Sequence, residues 1–285
     1  MFGFLNVYKP QGKTSHDVVA ILRRVTKVKQ IGHTGTLDPL AEGVLPICIG
    51  KATRLIEYLK DDKAYIGTIQ LGKSTTTYDI EGEAVNVSDK IVTKEEIEKA
   101  LNGFRGDIEQ LPPIYSAIKV NGKKLYDYAR NGQEVEIKPR RVNISELKIL
   151  NYNEDNRQLE IYISCSKGTY IRSVANDLGE ELGTYGHLIK LVRVQAGMFK
   201  INESVKLDEL SSKEQVETNL ISPIDYLDYP KYELTEKEFE KISHGMSIKC
   251  IKNIPDGIVV LTANQILSAV GEKCSNDIKC LKVFI

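Results

Sequence analysis

The chain has 285 residues, 41% hydrophobic and 27% charged, with 39 Lys+Arg against 39 Asp+Glu. This is globular composition, long enough for a sizeable core and one or two domains, and the zero net charge argues against a uniformly basic nucleic-acid coat. No run of about 18 apolar residues occurs and the first residues lack the pattern of a signal peptide, so no membrane span and a cytoplasmic location are expected.

The charge is unevenly spread. Residues 1–60 carry nine Lys/Arg against four acids, a net +5, whereas residues 201–240 carry eleven acids against four Lys, a net −7. Such a chain offers a polyanion one face and repels it from another. The five Cys (48, 165, 250, 274, 280) have no C-x-x-C spacing. Reduced, mostly buried thiols are expected, with no protein-bound metal and no cofactor.

In chain order, Leu5–Tyr8 reads as a strand ended by Lys9-Pro10-Gln11-Gly12. Thr14 or Ser15 caps a helix whose stripe is Val18, Val19, Ile21, Leu22 and Val25. The stretch Gly32-His33-Thr34-Gly35-Thr36-Leu37-Asp38-Pro39-Leu40-Ala41-Glu42-Gly43-Val44-Leu45-Pro46 is punctuated like a loop of fixed path, unsuited to a central strand. Pro39 biases Asp38 toward extended angles. Alone, this describes either a carboxylate aimed at a substrate or an Asx-type turn.

Ala52–Leu59 reads as a short helix and Ala64–Leu71 as a strand. Asp79–Gly82 is a turn, and Thr93–Glu96 is a capping box for a helix over about 94–102. From Gln110 to Gly122, Pro-Pro, β-branched residues and Asn-Gly indicate an extended excursion with a tight turn. Tyr115, Lys119, Lys123, Lys124, Tyr126, Tyr128 and Arg130 interleave rings and cations there, which suits either looped RNA or an ordinary surface hairpin. Leu159–Cys165 is a strand that turns through Ser166-Lys167-Gly168-Thr169 into a helix from Tyr170 to Leu182, with Arg172 in its first turn. A helix-like stripe continues from His187 to Leu191, followed by a strand over 192–199. Strands and helices mix without a βαβ repeat, favouring an α+β domain with a largely antiparallel sheet. Beyond residue 228 the character changes: a capping box at Thr235–Glu238, then three short strands, predict a small β-rich appendage over 229–285.

Four pieces together resemble the TruB family, bacterial tRNA pseudouridine-55 synthases. They are Lys9–Gly12, Gly32–Pro46, Tyr65 on its strand, and Ser166-Lys167-Gly168-Thr169-Tyr170-Ile171-Arg172. The resemblance runs collinearly over 1–228 and implies the pseudouridine synthase fold, with an RNA-gripping insertion at about 113–142 that includes Tyr115 and Lys119. The tail resembles a PUA-type RNA-binding module. Position by position, it implies Asp38 as the catalytic aspartate, Tyr65 against the target uracil, Arg172 paired with Asp38, and His33 in the space left by the flipped base. Leu191 would line the pocket, Lys9 brace it from below, and Asp79 contact RNA. Thr75-Thr76-Thr77 departs from the family's usual Thr-Asp-Thr. The implied partner is tRNA, its T arm on the catalytic unit and its acceptor stem on the appendage, bound by a monomer.

The chemistry is consistent with one carboxylate. Moving uracil from N1 to C5 requires an ionised Asp38 to add to the base, attack C1′ or take a sugar proton. A guanidinium keeps such a carboxylate ionised in a dry pocket. The C5 proton then leaves to Tyr65, to water or to Asp38 itself. A tRNA-folding chaperone without essential catalysis is the alternative in another class.

Overall fold

The computed structural model describes residues 1–250 and 252–285. The chain opens with β1 (Gly3–Lys9) and α1 (Ser15–Thr26), whose start is fixed by a reciprocal Thr14–Asp17 capping box. Then come β2 (Ile31–His33), β3 (Glu42–Ile49) and, after a 3₁₀ helix Gly50–Tyr58, β4 (Lys63–Leu71). These strands belong to a ten-stranded mixed sheet. From one edge its path runs Val205–Lys206, β1, β3, Gly186–Ala196, β4, Gln158–Cys165, Arg140–Asn153 and Gly106–Gln110. The Gly186–Ala196 strand pairs parallel to β3 and antiparallel to β4, and β1 pairs parallel to Val205–Lys206; the other pairs are antiparallel.

Because side chains alternate across a strand, β1 and β3 serve two cores. Leu5, Val7, Leu45, Ile47 and Ile49 join the large core beneath α1 and the Ile171–Glu181 helix. Phe4, Val44 and Cys48 face the other way and meet Leu227, Val260, Leu267, Val270 and Phe284. The latter partners come largely from a second, five-stranded sheet. Its order is Lys231–Glu233, Gly257–Ala263, Ile266–Cys274, Asp277–Val283, Ile248–Lys249. Three of these strands are those expected from the sequence; the short outer two are additions.

Two local expectations are corrected. The punctuated stretch is a loop only over 34–41: Gly32 and His33 end β2, and Glu42–Pro46 lies in β3 between sheet neighbours. Pro46 is tolerated because a strand residue directs its N–H and C=O to the same side. Its carbonyl accepts from Thr34 N at 3.1 Å, away from β1. On that side β2 pairs only as far as Ile47, and the Gly186–Ala196 strand pairs only at Glu42 and Gly43. The missing donor therefore falls between two partial partners. Gly43 is required by close approach: at φ 100° an added Cβ would stand 2.3 Å from the Arg193 carbonyl. Second, His187–Leu191 is not helical but part of one continuous strand. Bulges between Leu188 and Lys190 and between Arg193 and Gln195 break its alternation and blur its period in the sequence.

Candidate active site

A cavity of about 600 Å³ opens where the 34–38 loop, β4, the 166–172 turn and Leu191 converge. Asp38 stands on its wall. The backbone does turn here, Ala41 N donating to the Asp38 carbonyl at 3.1 Å. The carboxylate, however, is directed at Arg172, with Asp38 Oδ2 2.9 Å from Nη2. The Asp38 side chain is 42% exposed while that of Arg172 is 7% exposed, so the acid is open to a ligand and its cation is not.

Arg172 is built in from below. Nη2 also donates to the Tyr115 carbonyl at 3.0 Å, and Nη1 donates to the Thr77 carbonyl at 3.1 Å and faces Asp79 Oδ2 at 3.5 Å. This accounts for a cation at a helix N-terminus, where the dipole opposes it: two carboxylates and two carbonyls surround it. Buried Gln110 fixes the helix start, its Oε1 accepting from Tyr170 N at 2.8 Å and its Nε2 donating to the Tyr170 carbonyl at 3.0 Å. Asp79 is 4% exposed, and its Oδ1 accepts from Thr77 Oγ1 at 2.5 Å and Glu81 N at 3.0 Å. The Asp79 carboxylate, expected to contact RNA, is enclosed beneath Arg172. Thr75 Oγ1 donates to the Asp79 carbonyl at 2.6 Å, whereas the departing residue, Thr76, lies outside that enclosure, exposed and accepting from Glu83 N at 3.2 Å.

Lys9 is likewise under the loop rather than at a surface. It is fully buried, and Nζ donates to the carbonyls of Pro10 (2.9 Å), Lys13 (2.6 Å) and Pro39 (3.5 Å). Burial brings its ammonium down to about 8, against the opposing pull of Asp38. Tyr65 and Leu191, both 7% exposed, line the cavity. Burial raises the Tyr65 phenol, and Arg193 acts against that rise. His33 closes β2, its ring edge-on to His16 with centroids 6.4 Å apart. Burial, then His16 and Arg193, lower its pKa, so the imidazole is neutral near pH 7. Tyr115 contributes its carbonyl to Arg172, whereas Lys119 is exposed on a two-stranded hairpin, Lys119–Val120 with Lys123–Lys124. Asn121 and Gly122 turn that hairpin with φ 51° and 80°. Beyond it, Lys123 lies 4.7 Å from the Tyr128 ring centroid, and Lys124 and Arg130 lie 5.1 and 5.4 Å from that of Tyr126.

Arg193 is the main residue that sequence reasoning missed. It is wholly buried and faces Tyr65 in the strand ladder. Nε donates to the Val44 carbonyl at 2.6 Å, Nη1 to Thr36 at 3.4 Å and Nη2 to Gly35 at 3.1 Å, joining both ends of the Asp38 loop. Val-Arg-Val in a strand reads as a solvent-facing alternation, so only the three-dimensional neighbours reveal it. Replacing Arg193 by Met removes charged hydrogen bonds and leaves buried carbonyls unpaired. The expected loss is about 3 kcal/mol of stability, read as a lowered midpoint in urea unfolding.

Residues 23–171 match the family model described as TruB family pseudouridylate synthase (N terminal domain), and residues 172–227 match that of the tRNA pseudouridylate synthase B C-terminal domain. The tRNA pseudouridine synthase B of Bacillus anthracis is 45% identical over 260 residues, covering 87% of this chain and 85% of that one. Its namesake in Streptococcus agalactiae serotype III is 42% identical and covers 99% of both. In fold, the chain is similar to one in the structure of an H/ACA RNP bound to a substrate RNA containing 2′-deoxyuridine, with TM-score 0.76 and 23% identity over 100% of this chain and 85% of that one. It is also similar to a chain of a Cbf5-Nop10-Gar1 complex, with TM-score 0.75 and 24% identity over 100% of this chain and 85% of that one. With a single family model spanning more than half its length, and relatives this similar across most of the remainder, the chain belongs to the TruB family of pseudouridylate synthases.

Proposed function

We propose that this protein isomerises uridine 55 in the T loop of tRNA to pseudouridine, acting as a cytoplasmic monomer. One observation carries the reading: Asp38 is open to the cavity and held at 2.9 Å by a buried arginine. Two other acids on the cavity wall are engaged elsewhere, Asp61 with Lys167 and Glu57 with Lys282. A carboxylate that attacks carbon must be near and correctly aimed, and the planar fork of the buried guanidinium holds that aim.

The remaining roles belong to the same reading. The uracil lies between Tyr65 and Leu191, and Asp38 works on the glycosidic bond and on the base during reattachment through C5. The target nucleotide leaves its stack to reach them, at a cost of a few kcal/mol. The neutral ring of His33 occupies the vacated place. Lys119 and the cations around Tyr126 and Tyr128 hold the RNA backbone across the 113–142 insertion. The test is pseudouridine mapping on unmodified tRNA treated with the protein; absence of the modified base at position 55 would refute the assignment.

The 229–285 unit serves in this reading as a PUA-like RNA-binding domain touching the acceptor stem. Deletion is a poor test of it, because Val260, Val270 and Phe284 share a core with Phe4 and Leu55. Charge reversal of the exposed Lys252 and Lys279 spares that core. Lys252→Glu with Lys279→Glu is expected to weaken full-length tRNA about tenfold in filter binding, the scale of losing two phosphate contacts. An isolated T-arm hairpin is expected to lose little; equal losses on both RNAs would refute the acceptor-stem contact.

A further inference from the structure

Three cations crowd the Asp38 loop: Lys9, Arg193 and Lys63. The first two are wholly buried and donate to backbone carbonyls. Lys63 differs, because it lines the cavity. It precedes Tyr65 by two residues on β4, so the two side chains leave the same face of the sheet, about 7 Å apart along the strand. Its ammonium donates to the Asp61 carbonyl at 2.9 Å. Among the described residues no carboxylate is ion-paired with it. The Asp61 carboxylate is taken by Lys167 at 2.6 Å and that of Asp38 by Arg172 at 2.9 Å. Gly35 leaves room for the Lys63 stem: an added Cβ there would lie 3.2 Å from Lys63 Cε, 3.8 Å from Nζ and 3.9 Å from Arg193 Nη1. Lys63 and Arg193 thus approach the same point of the loop as like charges.

A half-buried ammonium beside a second cation, with no carboxylate in direct contact, is an unfavourable arrangement in a finished protein. Burial, then the Arg193 charge, hold Lys63 below the ordinary lysine range, against the weaker pull of Asp61 and Asp62. Its position suggests what completes it. A uracil seated against Tyr65 carries its own sugar-phosphate within about one nucleotide's reach, and the strand spacing to Lys63 is of that size. A compact, rotatable ammonium suits a phosphate oxygen approached as a point charge.

We propose that Lys63 binds a phosphodiester flanking the target uridine, completing with RNA a charge the protein leaves unpaired. This rests on the reading of the cavity as the uridine site. The contact fixes the nucleotide's register at the moment its base reaches Tyr65. It is specific to one phosphate, in contrast to the distributed cations of the insertion.

The test uses single-turnover pseudouridine formation on a T-arm RNA, reading the half-saturating enzyme concentration across a salt series. Wild type is compared with Lys63→Gln and Lys63→Arg. Each is measured on the natural RNA and on RNAs bearing one uncharged methylphosphonate, 5′ or 3′ of the target. Lys63→Gln is expected to raise the half-saturating concentration about tenfold near 0.1 M salt and to flatten the log–log salt slope by about 0.7, the contribution of one single-stranded phosphate. One of the two methylphosphonates is expected to have the same effect on wild type and no further effect on Lys63→Gln. Lys63→Arg is expected to restore most of the affinity. The melting temperature of Lys63→Gln is expected to be unchanged or raised, because the substitution removes an unpaired charge. An unchanged salt slope in Lys63→Gln, losses that multiply for both methylphosphonates, or a lowered melting temperature would overturn the proposal. Wild type that makes no pseudouridine would instead overturn the reading on which it rests.

Discussion

Asp38→Asn is expected to lower pseudouridine formation by about 10⁴-fold or more while leaving RNA affinity within a few-fold. The substitution keeps the side chain's size and its acceptor oxygen toward Arg172 and removes only the ionised carboxylate. A group that acts in bond making rather than in binding shows this split between turnover and affinity. Tritium released from C5-labelled uridine in a T-arm RNA measures turnover, and filter binding of the same RNA measures affinity. Full activity in Asp38→Asn would exclude the carboxylate from the chemistry. A parallel collapse of binding would make it a folding or docking residue.

The second large effect is expected at Arg172. Lys retains the charge but not the fork, and the fork is what the surroundings use: one nitrogen serves Asp38 and Tyr115, the other serves Thr77 and Asp79. A single ammonium cannot reach both sets. Arg172→Lys is expected to lower turnover about 10²-fold with little change in affinity. Arg172→Met goes further, because it leaves the Asp79 carboxylate enclosed without its cation. Breaking a buried pair on one side costs about 3–5 kcal/mol, so Arg172→Met is expected to melt well below wild type. The double variant Arg172→Met, Asp79→Asn recovers part of that stability without recovering activity. Thermal melts and the tritium assay separate the two quantities. A pure binding defect in Arg172→Lys would contradict the assignment.

Much of the site was legible because its residues come in short, rigid, sequence-local frames. Asp38-Pro39 and Ser166–Arg172 announce a stiff loop and a strand-to-helix turn, and both are present. What was not legible depends on partners far away in sequence. Asp79 looks like a turn acid until Arg172, ninety-three positions on, encloses it. Arg193 looks like surface until the carbonyls of Gly35, Thr36 and Val44 close over it. Strand Arg140–Asn153 escaped notice for a different reason. Its bulges between Ile144 and Glu146 and between Ile149 and Asn151 shift the inward set of side chains, so no single period of two runs its length. The Gly186–Ala196 strand was misread for the same cause.

The anchoring of the Asp38 loop has a consequence for when ordering is done. Arg193 and Lys9 hold its carbonyls, Gly12 N donates to the Pro39 carbonyl at 2.8 Å, and Ser15 Oγ accepts from Leu37 N at 2.8 Å. Fixing a residue's backbone costs roughly 1–2 kcal/mol, so ordering a loop of this length is a term on the order of ten kcal/mol. Here that entropy is lost once, during folding, and is not charged again to each tRNA that arrives. Binding energy from distant parts of the RNA is then left for unstacking the uridine and bringing it to a carboxylate already in place.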